Sequence, residues 1–363
     1  MKKQFLVILC LCLTMTALYA GDVPYSSFQF KNNDTDIQAA LEWAEGMTAI
    51  QDGIADGLYD LLSVTSQPNR YLRTVLELPV LFLEWRFSWA VATSVHEVGH
   101  AAVMRHDGRF PSFGQGDRQN LSIWELYLGN IVSSERSYTH LTEASPVSVT
   151  NRQRALEIGA GINANTQFAE RLNRRSLRRH KYRYREAITM LTNKSYGAGY
   201  FATGRGGADP FGDPSQYLLA IENQGHSVNY ENVFLIKSLA SLISGSTLNA
   251  IRTREQFVLY NASGGSPLAW QIGEWDLFIP EWMVYLNEDS VSILGEFFFR
   301  HVGMPLLSVG FEQSFMGNSF SKEGSFSISD DLREFAYDLR FTMNARMDYF
   351  YQLYGHQELL KQF

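Results

Sequence analysis

The sequence predicts an α+β fold, mainly α with a β-rich C-terminal segment. Two observations carry this. Apolar residues recur at helical spacing in long stretches before residue 250. Toward the C-terminus the apolar period drops to two, the period of half-buried strands. Three parts follow from it: a leader over 1–20, a helical domain over 21–300, and a β-rich segment over 301–363.

The leader comes first. Lys2 and Lys3 precede the apolar run from Phe5 to Leu13, and Ala20 ends the segment on a small residue. This is the pattern of a secretory signal peptide cleaved after Ala20, with an uncleaved anchor as its alternative. Both cysteines of the chain, Cys10 and Cys12, lie inside it. The mature chain would have none, which excludes disulfide scaffolds, cysteine zinc fingers and thiol nucleophiles. Without Lys2 and Lys3, 29 basic side chains face 38 acidic ones, a net charge near −9. Nucleic acid is therefore not an expected partner. Aromatic content of 13% and charged content of 19% exclude a disordered chain. A mean hydropathy of −0.17 disfavours a polytopic membrane protein.

The helical elements follow in order. Over 35–62, Ile37, Ala40, Leu41, Ala44, Met47 and Ile50 fall on one face, with Asp34 or Asp36 as the cap. A second helix runs from about Tyr71 to Arg105 and could break at Pro79. Between Leu78 and Val95 its only charges are Glu84 and Arg86. That density suits a buried core helix first and a membrane-contacting one second. Residues 107–150 look like loops and short strands. Residues 151–195, 215–224 and 231–243 look helical, with a glycine-rich loop between Gly197 and Gly212. Residues 255–290 are mixed and rich in tryptophan.

In the C-terminal part, Leu307, Val309, Phe311 and Phe315 alternate with other residues, as do Phe335, Tyr337, Leu339, Phe341, Met343, Ala345, Met347 and Tyr349. The two runs could pair as a hairpin through 317–324. The second run also fits a helix face. There are too few candidate strands for an outer-membrane barrel.

The chemistry centres on His96-Glu97-Val98-Gly99-His100, an H-E-x-x-H motif. On a helix, His96 and His100 lie one turn apart on one face and can hold one zinc ion. Glu97, beside them, can take a proton from the attacking water as general base and pass it to the leaving amine. The small apolar flanks, Ala92 to Val95 and Ala101 to Met104, place this zinc site on a buried helix. The alternative is a pair of structural core histidines with Glu97 in an ion pair.

The motif leaves a third ligand open. His106 has the spacing of the metzincin pattern, but Val103 stands where that pattern turns on glycine. Glu157 is a carboxylate candidate on a later helix. Asp209 and Asp213 are candidates in Asp209-Pro210-Phe211-Gly212-Asp213-Pro214.

The stretch from His96 to Gly108 resembles the site-2 protease family of zinc metalloproteases, whose motif region reads H-E-x-G-H-A. The segment Ile158-Gly159-Ala160-Gly161-Ile162-Asn163-Ala164-Asn165 is similar to the small-residue and asparagine segment near that family's site. The run Asp213-Pro214-Ser215-Gln216-Tyr217-Leu218-Leu219 is similar to its D-G-x-x-x-L-L run, with Pro214 in place of glycine. The resemblance implies Asp213 as the third zinc ligand, with Asp209 as its neighbour. It departs from the family in having no 18-residue uninterrupted apolar stretch after the leader.

The combined expectation is an exported zinc metalloprotease of the periplasm or cell envelope, associated with the membrane. It would cut peptide bonds, with a membrane-associated peptide or protein as substrate. Eight basic side chains over Arg171–Arg185 would contact anionic lipid or be solvated and paired with acidic neighbours. The aromatics Trp270, Trp275, Trp282, Tyr285 and Phe297 to Phe299 would pack in the core or line a membrane-facing belt. His226 is a candidate transition-state stabiliser. The competing class is a non-catalytic envelope or outer-membrane-associated binding or scaffold protein, whose H-E-x-x-H is structural.

Overall fold

The computed structural model describes residues 37–64, 66–142, 149–260, 264–301, 306–316 and 319–330. The leader, the Asp34 and Asp36 caps and the alternating run over 335–349 lie outside them. Among the described residues the protein is mainly helical with a β-rich C-terminal region, as expected.

Helix α1 spans Ile37–Leu61 and α2 spans Arg70–His106. Asn69 starts α2, its side chain accepting from the amides of Tyr71 and Leu72. Pro79 does not break the helix, which runs 37 residues with the proline inside it. The ring sits on the exposed side, clear of packed neighbours. A small three-stranded sheet follows, order β2-β1-β3, from β1 Pro111–Gln115, β2 Arg118–Leu121 and β3 Ser137–Leu141. Helix α3, Ile123–Val132, lies between β2 and β3. The expectation of loops and strands over 107–150 omitted it. The signal was Ser122 and Glu125, which form a reciprocal capping box.

Helix α4 spans Asn151–Arg178, opened by a second capping box from Thr150 and Gln153. After a short β4, Tyr182–Arg183, helix α5 runs Tyr184–Thr203. It therefore passes through Gly197 and Gly199, which corrects the loop expected there. A Cβ on Gly197 would collide with Lys237 and Ile162, so the glycine serves close helix packing rather than a turn. Helices α6 Asp213–Glu222, α7 Tyr230–Ile243 and α8 Gly245–Tyr260 complete the helical part.

The sheet begins earlier than the expected boundary at 301. The strands β6 Ala269–Ile272, β7 Trp275–Phe278, β8 Glu281–Leu286, β9 Val291–His301, β10 Leu307–Met316 and β11 Ser319–Asp330 form one antiparallel sheet, while β5 Gly264–Gly265 pairs with β4. The long β9 pairs with β8 through its first half and with β7 through its end. The tryptophans that made 255–290 look mixed, Trp270, Trp275 and Trp282, lie on three short strands, β6, β7 and β8. The hairpin partner of β10 is β11, with Leu307 opposite Asp330, and not the 335–349 run. Only Gly317 and Asn318 separate the two strands, a short connection that favours the nearer partner.

The main core joins Trp43 and Met47 of α1, Val91, Val95 and Val98 of α2, Leu126 of α3, and Phe168 and Leu172 of α4. Helices α2 and α4 cross closely at Gly99, where a Cβ would lie 2.5 Å from the Ala160 carbonyl oxygen. Asn163 ties α4 to the sheet: its side chain donates to the Leu286 carbonyl and accepts from the Leu286 amide, both at 2.9 Å.

Candidate metal centre

From Ala90 to Ala101 every residue of α2 is buried, so His96, Glu97 and His100 lie inside the protein. Helical spacing puts both imidazoles on the face turned to α4. There Gly161 leaves room for them: a Cβ at this position would lie 2.5 Å from His100 Nε2 and 2.7 Å from His96 Cε1. Asp213, the first residue of α6, brings its carboxylate to the same point. His96 Nε2 is 2.8 Å and His100 Nε2 3.0 Å from Asp213 Oδ2, and the two Nε2 atoms are 3.1 Å apart. Pro214 suits this placement, since proline is favoured in the first helical turn, where no amide is needed.

The hydrogen bonds at the far side of each ring fix which nitrogen is bare. The Nδ1 of His100 lies 2.8 Å from the Glu157 carbonyl oxygen, which only accepts, so Nδ1 carries the proton. The Nδ1 of His96 faces Asn165 Oδ1 at 3.2 Å. Asn165 donates its own amide to the Ala92 carbonyl at 2.8 Å and to Asn193 Oδ1 at 3.0 Å. Its oxygen therefore accepts from His96 Nδ1. Both Nε2 atoms then point lone pairs at each other and at a carboxylate. Three electron-rich atoms within about 3 Å repel unless a proton or a cation sits among them.

That donor set fits a metal ion. Tetrahedral zinc with nitrogen and oxygen ligands spaces its ligand atoms about 3.3 Å apart, close to what is seen. His96, His100 and Asp213 are the one group among the described residues whose donor atoms converge in this way. Without an ion the proton takes its place. Burial works against a charged His100, but the Asp213 carboxylate, by charge and hydrogen bond, raises its pKa to about 10. Burial alone would raise Asp213; the two histidines outweigh it and hold the carboxyl well below the usual range.

Glu97 stands beside the trio rather than in it. Its Oε2 accepts from the Thr139 hydroxyl at 2.9 Å, and that hydroxyl also reaches the Glu97 carbonyl at 2.9 Å. Thr139 comes from the middle of β3, so the small sheet positions Glu97. Its charge acts on His100, Tyr196 and Tyr200. The two tyrosines of α5 close the site: their rings lie 5.2 and 5.5 Å from the His96 ring, and Tyr200 hydrogen-bonds to the backbone of Asp213. Neither tyrosine carried a sequence signal: Tyr200 falls in the segment that looked like a glycine loop, and Tyr196 lies at its edge.

The alternative ligands are elsewhere. His106 is exposed at the end of α2, its nearest carboxylate oxygen, on Asp107, 3.8 Å away. Val103 keeps the chain helical where a metzincin would turn back. Glu157 pairs with Arg109 at 2.5 Å and supports His100 through its carbonyl alone. Asp209 accepts from the Phe211 amide in the turn before α6. His226 follows the opposite end of α6 from Asp213, about 15 Å along the helix.

In the basic segment the expected pairing with acidic neighbours is present, but inside the fold rather than on a solvated face. Arg174 is buried against Glu170 and Glu296; Arg171 pairs with Glu45, and Arg175 with Glu45 and Glu186. The face that looked solvated is an internal layer of ion pairs between α1, α4, α5 and the sheet. Of the aromatics, Tyr285 and Phe298 are core residues, whereas Trp270 is exposed.

Comparison with family models, with curated proteins and with solved structures returned no match to this chain.

Proposed function

We propose that the protein is a zinc-dependent metalloprotease of the cell envelope. His96, His100 and Asp213 would hold the ion, and Glu97 would act as general base. The convergence of three bare donor atoms next to a carboxylate that is not one of them carries this reading. Two imidazoles and one carboxylate are a ligand set of hydrolytic zinc sites, which keep a fourth position for water. The resemblance of the three sequence islands to site-2 proteases supports the same assignment.

Zinc, when bound, supplies a Lewis acid that polarises a carbonyl and acidifies water. The chain's own residues do the rest. Asn165 and the Glu157 carbonyl hold both imidazoles in the tautomer that presents Nε2. Thr139 keeps Glu97 turned to its place. Glu97 takes a proton from water as the water oxygen bonds to the peptide carbon. When the C–N bond breaks, the same proton passes to the leaving nitrogen. The Tyr200 hydroxyl can donate to the developing oxyanion.

Glu97→Gln tests this, since it keeps the size and removes the base. Zinc-loaded protein is incubated with a peptide library and cleavage is read by mass spectrometry. We expect the variant to bind zinc as before and to lose about 10²–10⁴-fold in rate. If both proteins bind zinc and neither cuts, the ion is structural and the protease reading fails.

A further inference from the structure

We infer that the exposed apolar face formed by the first half of α2 and by α7 and α8 sits in the hydrocarbon of a lipid bilayer. This stands independently of the metalloprotease reading.

The first half of α2 is turned inside out relative to a helix in water. Arg73, Glu77 and Glu84 point inward and are buried. Every exposed residue between 71 and 89 is apolar or aromatic. Tyr71, Val75, Leu78, Phe82, Trp85 and Trp89 form a stripe at alternating spacings of four and three, and Phe82 is 60% exposed while Glu77 is 1%. The stripe is about 27 Å long at 1.5 Å per residue, close to the thickness of a hydrocarbon layer. A solvated helix places charge outside and apolar groups inside; this one does the reverse over five turns.

A second helix pair continues the face. Leu235, Leu239, Leu242, Ile251 and Leu259 of α7 and α8 are exposed and Lys237 is buried; the exposed charges of the pair are Glu231 at its start and Glu255 in its last two turns. Among the described residues no single helix is long and apolar enough to cross a membrane; Tyr230–Ile243 and Gly245–Tyr260, bent by 48° at their junction, reach that length and composition only as a pair. The backbone opened at that bend is satisfied from within the protein. Ser244 Oγ reaches the Ala240 and Trp282 carbonyls at 2.6 and 2.8 Å, and the Gly245 amide donates to the Pro280 carbonyl at 2.8 Å. Irregular backbone is tolerated at membrane depth only when partnered in this way. Helix α5 packs against α2, α7 and α8, and between 188 and 202 it exposes only Ser195, Gly199 and Ala202. No charge interrupts the surface there.

Lipid fits this face better than a second copy. The four-three stripe alone would suit a helix seam. The exposed apolar surface is wider than a seam, extending to a bent pair that packs on α5 and, through α8, on α2 itself. Its aromatic members, Trp85, Trp89 and Tyr71, are the types enriched where protein meets the edge of a bilayer. Arg171, Arg174, Arg175, Arg179 and Arg185, in the other candidate segment for lipid contact, are already occupied by carboxylates within the fold. The stripe also runs up to the metal centre: ring centroids step from Phe82 to Trp85, Trp89, Tyr196 and His96 at 6.0, 6.3, 5.1 and 5.2 Å.

The test uses the full chain and neutral phosphatidylcholine vesicles. We expect the protein to float with the vesicles and to stay bound in high salt and in alkaline carbonate. Vesicles with brominated acyl chains should quench its tryptophan fluorescence, and Trp85→Phe with Trp89→Phe should remove most of that quenching. Phe82→Asp combined with Leu239→Asp should lower the floated fraction about tenfold or more, with an unchanged circular dichroism spectrum. Phe82 and Leu239 are exposed, so neither change opens the core. The inference is overturned if the double aspartate variant floats like the parent, if salt releases the parent, or if the bromolipids leave Trp85 and Trp89 unquenched. A detergent-free dimer that hides these tryptophans would overturn it as well.

Discussion

In the first half of α2, Glu77 and Glu84 are buried beside cations that the chain itself supplies. Arg254 pairs with Glu77, the Tyr59 and Tyr184 hydroxyls donate to it, and Arg185 lies 3.5 Å from Glu84. Five turns on, His96, Glu97 and His100 are buried beside Asp213, whose ion-pair partners among the described residues are the two histidines alone. One helix thus buries charge in two ways. The first cluster meets the charge of Glu77 from within and holds α2 to α1, α5 and α8, while Glu84, whose carboxylate oxygens make no hydrogen bond, is pushed toward its neutral form by burial. The second brings together donor atoms that need a cation from outside. Burial of polar groups is therefore not in itself the mark of a site; unmet charge demand is.

Removing a ligand should give the largest effect. Asp213→Ala leaves two imidazoles and no carboxylate, and we expect zinc affinity to fall at least about 100-fold in a competition titration. An unchanged affinity would move the third ligand elsewhere. In the first cluster the effect should appear in stability, with metal binding unaffected. Arg254→Ala leaves Glu77 buried without its main cation, and we expect a loss of about 3 kcal/mol in urea unfolding. If Arg254→Ala weakens zinc binding and leaves stability unchanged, the separation of the two clusters is wrong.

A smaller effect depends on pH. Burial, reinforced by Asp52 and Glu77 and opposed by Arg185, raises the Glu84 pKa to about 8. The folded value lies above the unfolded one near 4.5. The contribution of Glu84 is thus most favourable below pH 4.5 and is lost as pH rises through 8. Glu84→Gln should therefore stabilise the protein by about 1–2 kcal/mol at pH 8.5 and change little at pH 4.5. The opposite slope would mean that Arg185 outweighs the burial.

Much of the second cluster was legible in the sequence, because the spacing of His96, Glu97 and His100 defines a geometry by itself once the helix is granted. Asp213 lies 113 residues after His100 and has no local signature; only the likeness of its run to a known family pointed to it. Asn165 and Tyr200 act through contacts between distant helices, which periodicity does not encode. The α+β division was legible, but its boundary was not, since β6 and β7 are four residues each, too short to show alternation. The outward face of α2 was the least legible feature. An apolar run reads the same whether it packs in a core or faces lipid, and only the burial of Glu77 and Glu84 separates the two.

The central claim is that the trio of His96, His100 and Asp213 needs a cation. Metal analysis of the purified full chain after dialysis, before and after chelation, tests it most directly. We expect one zinc per chain in the native protein, removed by the chelator, restored by added zinc and absent from Asp213→Ala. A native protein that carries no metal and takes up none would contradict the claim, leaving a proton shared between His100 and Asp213 as the whole content of the site.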